Sequence, residues 1–464
     1  MKRNIYTALA TTAAVAVLAG AAHAQMSGAP QVCTSTNMNP GHNDCVMPTA
    51  SAQGGGSFPG SFLVPGTNTS FAVHGFIRFD IVHDFGPHQG VNSFGAALVP
   101  LDGSAAHSLN GGTELQAVTT RPNIETRTPT AYGELKTYIE FDFNENSGLS
   151  QQGTSSTSAL NISGNNDLIR LRQAYGTLGP WLIGQAFSMF ADAQSYSDVA
   201  AGLQDVGMMN TLNVRRPQMR YTWLAGQGLS IAGSIEQPTY VSNIPFSSAT
   251  GTGGGLTGGP VFGTSTTFGN WPAFVGAGEW DQPWGHLKFA TGVEINDVRS
   301  DGGISSTGAA TPVTNHQTDG VAMRLTGHLN TVGKDALRGG IVYNDGAANF
   351  SSDMTQGGEL YNTTSGARTA IKEWAGYASY EHFFNGQWRA NATGGYAHFS
   401  GNPGFTGATL GSLNREMYDT NVNIIYSPVP QTDFYLEWQH IYRKVVSSND
   451  GVDDRIDAQF NFYF

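Results

Sequence analysis

The sequence predicts an all-β fold, a 16-stranded antiparallel transmembrane β-barrel, on three observations. Charge is sparse and glycine abundant, apolar and polar residues alternate with period two over segments of about ten residues, and the junctions alternate between tight turns and long loops. Charged side chains are 12% of the 464 residues, about half the roughly 25% of a soluble domain, and 60 residues are glycine. Six lysines stand against seventeen arginines, and the formal charge is −12. With no Lys/Arg run longer than a pair, this excludes a nucleic-acid-binding protein with a basic face. Past the N-terminus no stretch of about 18 apolar residues occurs, which argues against a helical membrane protein.

Residues 1–24 read as a cleaved signal peptide. Lys2 and Arg3 open it, an Ala/Val/Leu/Thr segment follows from Ile5 to Gly20, and Ala22-His23-Ala24 before Gln25 fits a small-x-small cleavage site. The chain is therefore expected to be exported, and loss of the two cations takes the formal charge to −14. Residues 25–70 are Gly-, Ser-, Pro- and Asn-rich and are expected to be a flexible periplasmic N-terminal segment. They hold the only two cysteines, Cys33 and Cys45, and in an oxidising compartment a disulfide between them would add about 3 kcal/mol of local constraint. The alternative, a metal site with His42 and Asp44, matches no standard zinc spacing, so no metal and no cofactor are expected.

Residues 71–464 are the expected barrel. In the first segment Ile77, Phe79, Ile81 and Phe85 share a face opposite Arg78, Asp80 and Asp84. From Gly133 to Phe143, Leu135, Thr137, Ile139, Phe141 and Phe143 oppose Glu134, Lys136, Tyr138, Glu140 and Asp142. Later segments repeat the pattern: Leu436 and Trp438 oppose Glu437 and Gln439, and Ile456, Phe460 and Phe462 oppose Arg455, Asp457 and Asn461. A soluble sandwich alternates too, and the junctions decide between them. Short ones fall at 129–132, 179–180, 225–228, 282–284, 331–335, 385–387 and 429–431. Long ones fall near 86–117, 145–165, 189–213, 239–270, 298–318, 346–369, 401–413 and 445–452.

Backbone accounting gives the reason for closure. An amide unpaired in hydrocarbon costs several kcal/mol, so a spanning sheet must close on itself. Sixteen strands leave room for an aqueous channel. The apolar faces then meet lipid and the charged faces a water-filled lumen. Tyr132, Trp181, Trp223, Trp284, Trp388 and Tyr426 stand near strand ends, where interfacial girdles belong.

Several strings resemble the DcaP-like trimeric outer-membrane porins: HGFIRFDIVHDF (His74 to Phe85), TPTAYGELKTYIEFDF (Thr128 to Phe143), LRQAYGTLGPWLIGQAFSMFAD (Leu171 to Asp192) and RRPQMRYT (Arg215 to Thr222). The terminal FNFYF, ending in Phe464, looks like the signal read by the outer-membrane assembly machinery. The resemblance covers the first half of the barrel and the last strand. It implies a homotrimeric channel in a Gram-negative outer membrane, passing small anionic solutes such as dicarboxylates. It also implies, around Phe187 to Asp192, a third loop that folds inward and narrows the pore. Some members carry a periplasmic coiled coil before the barrel; residues 25–70 have no heptads, and no such role carries over.

On the lumen phase, Arg121 and Arg127 of the second strand, Arg170 and Arg172 of the fourth and Arg216 and Arg220 of the sixth share the interior with Arg78 of the first. Arginine stays charged at any working pH and presents a planar fork that fits carboxylate or phosphate. A ladder of them would concentrate anions despite the negative total. The third connection carries Asp192, Asp198 and Asp205, which are expected to face that wall and set a transverse field. The competing role for the arginines is cross-strand pairing with Glu125, Glu134, Glu140 or Asp142.

Other signals are weak. Gly253 to Gly258 nominally fits a GxGxxG pattern but opens no helix. Asp450, Asp453 and Asp454 read as a solvated acidic turn rather than a cation site. The leading function is passive diffusion of small anions with no enzymatic activity. The alternatives are a surface binding or adhesion barrel and, further off, a lipid hydrolase, for which His286 and His382 have no evident nucleophile.

Overall fold

The computed structural model describes residues 55–89, 95–108, 110–145, 168–200, 214–238, 265–269, 271–300, 314–354, 359–361, 368–400 and 413–464. The signal segment, Cys33, Cys45, Asp205 and the glycine-rich match at 253–258 lie outside the described residues.

The barrel begins with β1 (Ser70–Pro87) and β2, which runs in two pieces along β1 (Asn110–Gln116 and Arg121–Thr130). Then come β3 (Gly133–Glu145), β4 (Leu168–Leu178), β5 (Trp181–Phe187), β6 (Arg215–Gly226) and β7 (Leu229–Glu236). Next is β8, again in two pieces (Ser265–Gly269 and Ala273–Gln282), followed by β9 (Gly285–Ser300), β10 (Thr314–Asn330) and β11 (Ala336–Asp345). The last five are β12 (Lys372–Phe383), β13 (Trp388–Ser400), β14 (Asn414–Tyr426), β15 (Thr432–Val445) and β16 (Asp450–Tyr463). Each strand pairs antiparallel with its chain neighbours, and β16 returns to β1 from Phe76↔Tyr463 to Asp84↔Arg455. The sheet has no free edge, as a spanning sheet requires. No described helix is long and apolar enough to cross a membrane.

Closure is finished by the last residue. The amides of Gly75 and Phe464 exchange two backbone hydrogen bonds of 3.0 Å. Gly75 has φ 152°, and a Cβ there would stand 2.4 Å from the Arg121 carbonyl oxygen, so the seam admits only glycine at this point.

The side-chain phase is inverted relative to a soluble protein. Ile139, Leu436 and Trp438 are 44%, 55% and 42% exposed on the outer surface, whereas Glu437 and Arg455 are each 1% exposed inside. Trp181, Trp223, Trp284 and Trp388 are exposed at the turn end, where Trp388 stacks on Tyr426 at 4.5 Å. Connections at 131–132, 179–180, 227–228 and 283–284 are two residues long.

Two expectations need correction. The eighth loop-side connection is not long: it spans 446–449, tightened by the Val445 amide on the Asn449 carbonyl and a positive φ of 71° at Ser448. The N-terminal segment is folded at its end: Phe62–Leu63 pairs with Ser70 and Phe71, and the Phe58 ring packs at 4.6 Å under the Arg127 guanidinium. The barrel therefore starts from an anchored turn rather than a loose tail.

Three loops turn into the barrel mouth. Short 3-10 turns at Ala96–Leu98, Ala193–Ser195 and Ala348–Phe350 belong to the first, third and sixth loops. Val99, Met189, Phe190, Phe350 and Met354 from these loops form one dry cluster with small inward residues of the wall such as Ala290, Ala322, Ala375 and Ala397. Phe190 meets Phe350 at 4.9 Å between ring centroids. Alanine on the wall leaves the volume that these rings fill.

Candidate pore lining and constriction

Strand register places the cations of the first six strands in tiers. At the turn-side level the partners run Arg127↔Lys136↔Thr177↔Leu182↔Arg220, from β2 across to β6. Arg127 Nε donates to Glu125 Oε1 at 2.6 Å, and its Nη1 stands 3.7 Å from Glu134. Lys136 Nζ shares Glu125 at 3.2 Å. Arg220 donates to Gln218 Oε1 and the Phe187 carbonyl, both at 3.2 Å.

Toward the loops, Arg170 grips Asp142 through both guanidinium edges, at 2.9 and 2.7 Å, and Arg172 and Arg121 approach the same carboxylate at 3.5 and 3.8 Å. On β1, Arg78 Nε donates to Asp80 at 2.9 Å. Arg216 is placed inward as expected, but its Nη2 donates to the Asn349 carbonyl of the sixth loop and its guanidinium lies 5.6 Å from the Phe350 ring centroid. It holds that loop.

All seven expected arginines thus point inward, and three of the four acids weighed against them, Glu125, Glu134 and Asp142, do pair with them. Glu140 instead accepts from the Tyr138 hydroxyl at 2.9 Å. Lys136 belongs to the same wall and was visible as an inward cation on β3. Arg389 on β13 was also readable from phase, but its part in the constriction was not.

The third loop enters the barrel after the Ser188 amide bonds the Val214 carbonyl at 2.9 Å. It then follows the inner wall opposite β2–β6. The Met189 amide donates to Glu236 of β7 at 2.7 Å. Asp192 accepts from Thr326 of β10 at 2.5 Å and lies 3.3 Å from His286 of β9. The Tyr377 hydroxyl of β12 donates to the Ser195 carbonyl at 3.0 Å.

Asp198 takes Arg389 at 2.9 Å and the Tyr435 hydroxyl at 2.7 Å. The Ala200 amide donates to Glu437 at 2.8 Å, and its carbonyl accepts from Arg78 at 2.9 Å. Burial alone would raise the Asp192 carboxyl, but the bond from His286 and the nearby Lys288 charge hold it below the usual carboxylate range.

Asp192 and Asp198 therefore do not face the arginine wall. Their carboxylates turn back onto β9–β15 and are neutralised there, which corrects the expected transverse field. Neither carboxylate pairs with a cation of β2–β6 among the described residues. His286 is held between Asp192 and Asp281, and His382 sits on Asp335 at 2.7 Å; both are ties of loops and turns. Asp450, Asp453 and Asp454 do not cluster: Asp453 faces inward and accepts from Gly86 and Gln89, while Asp454 meets His440. Among the described residues no group of three or more His, Cys, Asp or Glu could hold a metal ion.

A closed barrel of sixteen strands, apolar outside and ionic inside, narrowed by an inward third loop, defines a channel-forming outer-membrane barrel. The profile of the porin subfamily matches residues 58–461, and the chain belongs to that family, whose members are channels and not enzymes. Porin Omp2b of Brucella suis is 26% identical over 182 residues, 38% of this chain and 40% of that protein. The chain thus aligns with about two fifths of the length of the curated relatives it matches. Among solved structures, the outer membrane channel DcaP of Acinetobacter baumannii superposes with a TM-score of 0.64 at 18% identity. That match covers 87% of this chain and 99% of the other. An anion-selective porin from Comamonas acidovorans gives 0.50 at 10% identity, covering 85% and 100%.

Proposed function

We propose that this porin is a passive diffusion channel for small anions, with dicarboxylate-like solutes as its preferred class. The observation that supports it is the unequal distribution of charge across the narrowing. Arg121, Arg170, Arg172 and Arg220 line one side with Asp142 as the only carboxylate within 4 Å of any of them among the described residues. The acids of the described third loop are spent on the opposite wall. In a narrow bore with low-dielectric walls, such a surplus raises the local anion concentration. The resemblance to DcaP-like porins and the similarity to the anion-selective porin from Comamonas acidovorans agree with this reading. Assembly as a homotrimer in outer-membrane lipid, guided by the exposed terminal Phe464, is part of the same proposal and rests on the resemblance.

The test is the reversal potential of the purified protein in planar bilayers under a potassium chloride gradient. Stepwise conductance with chloride preference is the expected result; a cation-selective channel, or none, would defeat the proposal.

A further inference from the structure

Asp142 is fully buried on β3 and is shared by three guanidiniums. Arg170 donates to both of its oxygens, Arg172 Nε and Arg121 Nη2 approach Oδ2, and the Asn144 amide donates to Oδ1 at 3.3 Å. The surplus of cations has a backbone cause. The β3–β4 register runs from Glu140↔Gln173 to Phe141↔Leu171, so Arg172 is the extra residue of a β-bulge and enters the lumen beside both Arg170 and Gln173.

One carboxylate does not use up the donors collected here. Arg172 Nε and Nη2, Arg121 Nε and Gln173 Nε2 are buried with no hydrogen-bond acceptor among the described residues, and Arg172 as a whole is 5% exposed. Buried guanidinium donors are ordinarily all bonded, because each one left over costs free energy. Arg170, with 24% of its side chain exposed, opens the cluster to the lumen.

We propose that Arg121, Arg170, Arg172 and Gln173 form a binding site for a carboxylate or similar oxyanion, and that Asp142 is its resident competitor. The site rests on the anion-channel reading above. A passing anion takes the donors that Asp142 leaves free, and the fixed carboxylate beside it keeps the binding weak. Conduction requires that balance, since a site that binds too tightly stops the current. Three guanidinium forks without an internal carboxylate would retain a dianion. Asp142 thus acts as a positioning residue that sets the residence time.

The test measures chloride current in bilayers while succinate is added, and reads the concentration that halves the current. Asp142→Asn should lower that concentration about tenfold or more, a shift of about 1.4 kcal/mol in binding. Asp142→Glu should restore the wild-type value, which a merely structural role would not require, and Arg172→Gln should raise the concentration several-fold. Unchanged block in Asp142→Asn or Arg172→Gln would overturn the site.

If Asp142→Asn alone does not fold, the double variant Asp142→Asn with Arg172→Gln is compared with Arg172→Gln. Block at about tenfold lower succinate in the double variant supports the proposal, and equal block overturns it. A wild-type channel without anion preference would defeat the anion reading together with the site. An anion-selective wild type with unaltered variants would defeat the site alone.

Discussion

Asp335 illustrates how a single carboxylate fastens a turn of this barrel. It ends the connection between β10 and β11, where its two oxygens accept from the Phe383 amide at 2.9 Å, the Tyr380 hydroxyl at 2.8 Å and His382 at 2.7 Å. The backbone bond from Phe383, and then the bond from His382, lower its pKa to about 2. Because the folded pKa is depressed, the stabilisation is complete above the ordinary value of 3.8 and is lost as pH falls through about 2. Asp335→Asn should therefore melt below the wild type, with a gap that stays constant from about pH 7 to about pH 4 and narrows toward about pH 2. Melting scans at stepped pH check this, and a gap independent of pH throughout would contradict it.

The third loop depends on tertiary ties rather than on local structure. Arg389, 4% exposed, is the principal clasp: it holds Asp198 and also faces Glu381 at 3.4 Å and Asp433 at 3.4 Å. Arg389→Met would leave the buried carboxylates of Asp198 and Asp433 without a cation among the described residues, while Glu381 keeps Arg338 at 2.8 Å, a loss on the order of 3 kcal/mol. Urea unfolding should report that loss, and single-channel records should show fluctuating conductance as the loop leaves the wall; a quiet channel of wild-type stability would contradict this role.

These ties explain what the sequence made legible and what it did not. The strands were readable because outward Ile139, Phe141, Leu436 and Trp438 and inward Glu140, Asp142, Glu437 and Gln439 alternate locally, and lipid outside enforces that alternation. The direction in which Asp192 and Asp198 point was hidden, since their partners Thr326 and Arg389 lie well over a hundred residues away. The same distance separates Arg216 from Asn349, so a residue with lumen phase proved to be a loop tether. The short eighth connection was misjudged because Ser448 and Asn449 extend a polar run that continues into β16 as lumen-facing Asp453 and Arg455.

At the scale of the whole molecule, the formal charge of −12 is a poor guide to the bore. Acids and bases are shared unevenly among the strands, though both kinds stand on each side. Cations are concentrated on β2–β6, while Asp192, Asp198, Glu381, Asp433 and Glu437 gather on the far side, where Arg389 and the third loop engage them. Arginine phase on β1–β6 was legible from alternation, but the one-sidedness of the field depends on the loop crossing to the opposite wall.

The most direct test of that arrangement is the permeability ratio of chloride to potassium in wild type and in the combined Arg121→Gln, Arg170→Gln and Arg220→Gln variant, which leaves the tether Arg216 in place. The wild type should prefer chloride and the variant should lose most of that preference with its conductance retained; an equal ratio in the two channels would show that the wall does not select.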